Sequence, residues 1–277
     1  MIKLAFSTNA FKRYSLEDSI REIAKAHYRG VEILCDIPHA YPPVLTHDRI
    51  VSLMRSLLLF NMEISNLNAF TLYAIGDVYH PSWIEEEDES REQRIAHTID
   101  CIRLAKRIGA KHLSTEPGGP LRSQYADLEK LEKMFIDGLT RVAKVAEEEE
   151  IRVLIEPEPN LLIENSRQFK KFITRFTESE YIRLNFDIGH FYCVGEDPGT
   201  LIHELSDYIE HFHLADIADS RIHNHLIPGK GSIDFRSVFD AIDDIGYRGF
   251  VTIELYPYQD SPVQAAEEAY DYLCSIM

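Results

Sequence analysis

Two apolar periodicities alternate along this chain. Short, nearly continuous apolar runs fall at 2–7, 31–35, 62–67, 111–115, 151–155, 181–186, 209–214 and 250–255. Their length and their bounding turn residues predict buried strands. Between them, 16–27, 47–60, 91–108, 125–149, 166–176, 200–206, 235–245 and 262–276 carry apolar residues at helical spacing. In the first of these Ile20, Ile23, Ala24 and His27 share a face, and Gly109 ends the third as a C-terminal glycine should. Eight strands alternating with eight helices demand parallel pairing with right-handed crossovers. The expected fold is a single (β/α)8 TIM barrel spanning residues 1–277. A doubly wound open sheet is the rival. It usually carries a glycine-rich phosphate loop after its first strand, and Ser7-Thr8-Asn9-Ala10-Phe11 is nothing like one.

In such barrels the active site lies at the C-terminal ends of the strands. Four of these runs end in ionisable side chains: Glu156, Asp187, His213 and Glu254. Coming from the last four strands, they can converge on one point in one half of the barrel mouth. Three carboxylates and an imidazole make a hard, oxygen-rich ligand set suited to Mn²⁺, Mg²⁺ or Co²⁺, with Zn²⁺ also compatible. Any one of them alone would more readily be a loop salt bridge; the four together point to a divalent metal. Glu158 shares strand parity with Glu156 and is the alternative ligand, although Pro157 and Pro159 interrupt strand geometry there.

Other polar residues sit near the expected mouth. His190 follows Asp187 by three positions and is expected to contact substrate. Glu116 could bind substrate hydroxyls, serve as an extra acid or form a structural ion pair, and Asn66 joins the substrate-binding set. Lys230 and Arg221 are the local cations, for a substrate phosphate or carboxylate or for pairing with Asp216 and Asp219. His211 is expected to point away from the barrel axis, as a structural histidine. The aromatic loop of Phe70, Tyr73, Tyr79 and Trp83 is long enough to cap the site, and Trp83 is equally suited to core packing.

Bulk properties narrow the function. A net charge of -17 repels phosphate backbones, which argues against a nucleic-acid partner. No apolar run approaches the roughly 20 residues of a membrane span. The chain enters its first strand without a signal-peptide pattern, and its four cysteines are widely spaced with no CxxC. Reduced thiols in a cytoplasmic protein are expected.

The order Glu156, Asp187 with His190, His213 with Asp216, then Pro228-Gly229-Lys230-Gly231-Ser232-Ile233-Asp234-Phe235 and Glu254 resembles the xylose isomerase-like TIM-barrel superfamily. That resemblance implies Glu156, Asp187, His213 and Glu254 as metal ligands, with Glu156 and Glu254 also the acid/base pair on opposite faces of the substrate. It implies substrate contact by His190, and a homodimer through the mouth loops. His225, with His223 in place of an Asp, resembles a further ligand pair of the endonuclease IV branch and marks a second metal position. That branch wants histidines after strands two and three, where this chain has Cys35-Asp36 and Asn66-Leu67-Asn68.

The expected activity is a divalent-metal-dependent isomerase or epimerase acting on a sugar, ketose or sugar phosphate, by proton transfer through a metal-stabilised enediolate. The alternatives are a dehydratase acting on a hydroxy-ketone, which uses the same metal and bases, and a metal-binding accessory protein without catalysis.

Overall fold

The computed structural model describes residues 2–121 and 127–277. Eight strands run β1 Lys3–Ser7, β2 Gly30–Leu34, β3 Glu63–Asn68, β4 His112–Thr115, β5 Arg152–Ile155, β6 Ile182–Asp187, β7 Ile209–Leu214 and β8 Phe250–Ile253. Every neighbouring pair is parallel, and β1 pairs with β8 to close the barrel. The TIM barrel expected from the periodicity is the fold observed.

Nine α-helices surround it among the described residues: α1 Leu16–Lys25, α2 His47–Phe60, α3 Asp88–Ile108, α4 Leu128–Glu149, α5 Ser166–Ile173, α6 Ile188–Cys193, α7 Pro198–Leu205, α8 Phe235–Asp244 and α9 Pro262–Ile276. The expected start of the fourth helix at Tyr125 lies outside the described residues. The unexpected helix is α6, six residues that begin directly after β6, too short to leave a periodic signature. No helix among the described residues is long and apolar enough to cross a membrane. All four cysteines are free.

The apolar core lies between sheet and helices. Val31, Ile33, Leu67, Leu113, Val153, Ile155, Leu184, Phe186, Phe212, Leu214, Val251 and Ile253 pack into one cluster with Ile20, Leu53, Ile102, Leu139 and Val142 from the helices. Strand side chains alternate faces, so the intervening residues point into the barrel. Apart from Ala5 and Leu154 they are mostly polar there: Glu32, Asn66, Asn68, His112, Ser114, Asn185, Asp187, His211, His213 and Thr252 are all buried. TIM-barrel interiors are usually filled by branched apolar residues; this one is a hydrogen-bonded network. Pairing registers shift at Val31/Glu32 and at Leu184/Asn185, and such bulges re-aim the side chains that follow.

His211 therefore does not point away from the axis. Residues two apart share a face, so His211 lies inside the barrel one layer below His213, with its Nε2 3.0 Å from Thr252 Oγ1 and its ring 5.1 Å from that of His112. Its role is structural, as expected, but its direction is the opposite one.

Three carboxylates act as loop clamps. Asp36 accepts from the Thr71 hydroxyl and from the amides of Tyr73 and Ala74, pinning the start of the aromatic loop. Glu116 accepts from the Trp83 and Gly118 amides. Asp216 accepts from the amides of Ile217, Gly229, Gly231 and Ile233. Gly229 holds φ +89°, and a Cβ on Gly231 would collide with the Asp216 carboxylate. Gly231 thus serves the close approach of backbone to Asp216, while Gly229 supplies the left-handed turn beside the Tyr272 ring.

Candidate metal centre and cavity

Donor atoms of Glu156, Asp187, His213 and Glu254 all lie within 4.8 Å of one another, and all four side chains are buried. Each is positioned by its own element. Asp187 ends β6 and caps α6: its Oδ1 accepts the His190 amide at 2.8 Å. That leaves Oδ2 fully buried with no hydrogen-bond partner. Glu156 directs Oε2 to the Asn185 amide group at 2.8 Å and Oε1 to His213 Nδ1 at 3.0 Å. Glu254 Oε1 accepts from the side-chain amides of Asn9 at 2.7 Å and Asn68 at 3.1 Å.

The electrostatics are those of carboxylates crowded around one imidazole. Burial raises the Glu254 pKa well above the ordinary carboxylate range, and the neighbouring Glu156, Glu32 and Asp187 carboxylates add to that. Burial alone would lower the pKa of His213, but Glu156, Glu32 and Glu254 raise it well above the usual imidazole value. An orphaned carboxylate oxygen, three converging acids and an imidazole held between carboxylates form a donor set that fits a hard divalent ion. Glu158 is not part of this centre. Its Oε1 accepts the Tyr79 hydroxyl at 2.7 Å, and burial raises its pKa to about 7.

A cavity of about 230 Å³ opens over the centre, lined by Asn9, Lys12, Asn68, Glu156, Glu158, His190, His223 and Glu254 and roofed by Phe70, Thr71, Tyr73, Val78, Tyr79, Tyr256 and Gln259. His190 Nδ1 donates to the Pro157 carbonyl at 2.9 Å, and its Nε2 stands 3.7 Å from Asp187 Oδ2. His190, His223 and His225 also converge, their donor nitrogens within 4.8 Å, with His225 Nδ1 facing the Glu254 carbonyl oxygen at 2.8 Å. The aromatic loop divides: Phe70, Tyr73 and Tyr79 roof the cavity, while Trp83 is buried against Phe135.

Several residues expected at the mouth sit elsewhere. Lys230 is exposed and paired with Glu268 on α9. Arg221 lies over the Tyr192 ring and donates to its carbonyl. Glu116 is wholly buried at its clamp, 3.9 Å from Arg94. Asn66 is inside the barrel, donating to Glu32 and Ser114. None of these four lines the cavity. Among the described residues, the cation that does is Lys12, which the sequence reading missed; it sits against the Tyr73 ring at 4.2 Å. Glu32 was missed as well, because a Glu in the middle of a short strand reads as an outward, solvated residue. Its neighbours Val31 and Ile33 pack outward into the apolar core, so strand alternation turns Glu32 inward.

A family model described as xylose isomerase-like TIM barrel matches residues 20–276. The chain belongs to that family. Among curated relatives, an inosose dehydratase of Lacticaseibacillus casei is 28% identical over 158 residues, covering 50% of this chain and 53% of that protein. The chain thus aligns with about half the length of that relative. The inosose dehydratase of Clostridium beijerinckii is 23% identical over 95% of this chain and 90% of its own. Among solved structures, the IOLI protein with a binding zinc atom superposes with TM-score 0.80 at 18% identity, covering 99% of this chain and 98% of that one. A D-tagatose 3-epimerase-like protein gives TM-score 0.78 at 22% identity, with 99% and 98% covered. Within this family, then, the barrel described here is similar to proteins named for epimerisation and for dehydration alike.

Proposed function

We propose that this chain is a divalent-metal-dependent enzyme that moves a proton at a carbon beside a carbonyl, in an epimerisation or isomerisation of an unphosphorylated polyhydroxy ketone. The observation carrying this reading is the convergence of Glu156, Asp187, His213 and Glu254 at the floor of a cavity of monosaccharide size. When bound, the cation supplies Lewis-acid stabilisation of the negative charge that develops on substrate oxygens. Manganese suits three carboxylates and one imidazole, and zinc, cobalt and magnesium are the other candidates.

The protein's own groups do the rest. Glu156 and Glu254 reach the cavity from β5 and β8, so one can take a proton from one face of the substrate while the other returns one to the opposite face, inverting the carbon. Asn185 holds Glu156, while Asn9 and Asn68 hold Glu254, each through a side-chain N–H. That leaves the remaining carboxylate lone pairs to metal and substrate. His190, oriented by the Pro157 carbonyl, offers Nε2 to a substrate oxygen. With three glutamates and a single lysine among the described residues that line the cavity, a phosphate dianion would meet more repulsion than attraction. A neutral sugar fits this balance better.

A second reading is supported by the inosose dehydratase relatives and by Glu158. This third carboxyl group faces the same cavity, so it could protonate a departing hydroxyl and turn proton abstraction into elimination of water. Protein loaded with Mn²⁺ and incubated in deuterated water with ketohexoses, keto-cyclitols and their phosphates separates the two. Deuterium at the carbon with retention of all oxygens supports epimerisation; loss of water with new carbonyl-conjugated absorbance supports dehydration. Absence of both, in protein shown to hold the metal, would leave a binding protein.

A further inference from the structure

Below the centre, the metal-facing histidine has a second carboxylate behind it. His213 directs Nδ1 toward Glu156 Oε1 at 3.0 Å and Glu254 Oε1 at 3.9 Å. Its other nitrogen, Nε2, lies 2.5 Å from Glu32 Oε2. Glu32 sits on β2, across the barrel from β7, and is completely buried, as is His213. A carboxylate in such a place is costly to desolvate unless it is fully hydrogen-bonded. Its partners are all donors: Asn66 Nδ2 at 2.7 Å and His213 Nε2 on Oε2, and Asn68 Nδ2 at 3.1 Å on Oε1. Asn66 is itself held through its Oδ1 by His112 Nδ1 at 2.9 Å. Val31 and Ile33 on either side pack into the apolar shell, so strand alternation sets this side chain toward the axis.

We propose that Glu32 is the positioning residue of the metal centre: it holds the Nε2–H of His213 and thereby presents Nδ1 to the cation. The inference rests on the reading of Glu156, Asp187, His213 and Glu254 as metal ligands, and concerns which buried group orders them. With Nε2–H donated to a carboxylate, one tautomer and one ring orientation remain, and Nδ1 carries its lone pair toward the centre. The same hydrogen bond makes the imidazole a stronger donor to a metal, as outer carboxylates do behind histidine ligands generally. Asn68 extends the device, since its Nδ2 donates to Glu32 and to Glu254 together. One buried carboxylate is thus connected to two of the four ligands.

The test is metal affinity, read without substrate. Zn²⁺ and Mn²⁺ dissociation constants are measured by competition with a chromophoric chelator for wild type, Glu32→Gln, His213→Ala and the double variant, each checked for folding by far-ultraviolet circular dichroism and metal-free thermal unfolding. Gln keeps the shape but sets an amide N–H against the amides of Asn66 and Asn68 or against His213. Glu32→Gln is expected to weaken metal binding about 10- to 100-fold, and to add nothing further in the His213→Ala background. In zinc-loaded wild type, the His213 Nε2–H proton should resonate far downfield and move upfield in Glu32→Gln. Unchanged affinity in a folded Glu32→Gln protein, or losses that add in the double variant, overturns the proposal. Should Glu32→Gln not fold, Asn66→Ser, which loosens Glu32 without removing its charge, must show the same upfield movement and a weaker affinity, or the proposal falls. Unchanged affinity in His213→Ala would instead overturn the four-ligand reading, and the role of Glu32 with it.

Discussion

The Tyr79 hydroxyl donates to Glu158 Oε1 at 2.7 Å, tying the loop after β3 to the segment after β5 across the substrate cavity. Both residues line that cavity, and the phenol is one of the few donors available to a carboxyl group that is otherwise deeply buried. Tyr79→Phe removes a hydrogen bond to an ionisable partner, an interaction of about 1.5–3 kcal/mol. Steady-state kinetics should show kcat/KM lowered by about ten- to a hundredfold, with metal affinity unchanged. An equal loss of metal affinity would mean that Glu158 belongs to the metal centre after all.

Glu254 and Glu158 should separate under isosteric substitution. Glu254→Gln is expected to cut epimer interconversion, and exchange of the hydrogen on its own face, by about 10²- to 10⁴-fold, measured by NMR on metal-saturated protein. Glu158→Gln should leave exchange within a few-fold of wild type. If the reaction is a dehydration, Glu158→Gln exchanges hydrogen but releases little product. Full interconversion of the epimers in Glu254→Gln would remove that residue from proton transfer.

Two lysines expected or found near the mouth predict opposite outcomes. Lys12 lines the cavity beneath Tyr73, so Lys12→Met should raise KM about tenfold or more, the scale of one charge-assisted hydrogen bond to substrate. Lys230 is exposed and paired with Glu268, and surface pairs contribute little. Lys230→Ala should leave both kinetics and melting temperature at wild-type values. A KM effect at Lys230 and none at Lys12 would mean that the substrate approaches from the far side of the β7 loop.

Acid should destabilise the fold before it reaches the ordinary carboxylate range. His97 on α3 is buried, and burial, reinforced by Arg94, lowers its pKa to about 3; His39 is lowered by burial to about 4. Both stay neutral when folded and take up a proton when unfolded. Their contribution is complete above the unfolded value near 6.5 and is lost as pH falls toward the folded values. Between pH 6.5 and 5 the unfolding free energy should decline, and His97→Gln should reduce the slope by up to about 1.4 kcal/mol per pH unit. Urea titrations at several pH values check this; an identical slope in wild type and variant would show that His97 does not titrate on unfolding.

Much of this protein is legible in one dimension. Period-2 and period-3.6 apolar patterns are local consequences of which face each segment buries, so the eight strands, their parallel order and the closed barrel follow from spacing alone. The four candidate metal ligands were also readable, because strand ends are easy to locate and each run stops on an ionisable residue. What the chain in one dimension could not decide was direction around the barrel. Whether a side chain points to the axis, the helices or the cavity depends on register and bulges across strands that are distant in sequence. Strand pairing placed Glu32 behind His213 and set His211 edge-on below it. Loop folding decided the remainder: the Tyr73 amide clamped on Asp36 set that ring over the cavity beside Lys12, and the Gly229 and Gly231 amides clamped on Asp216 held Lys230 out at the surface. Those contacts are set by hydrogen bonds between segments tens of residues apart, and only the folded barrel brings them within reach.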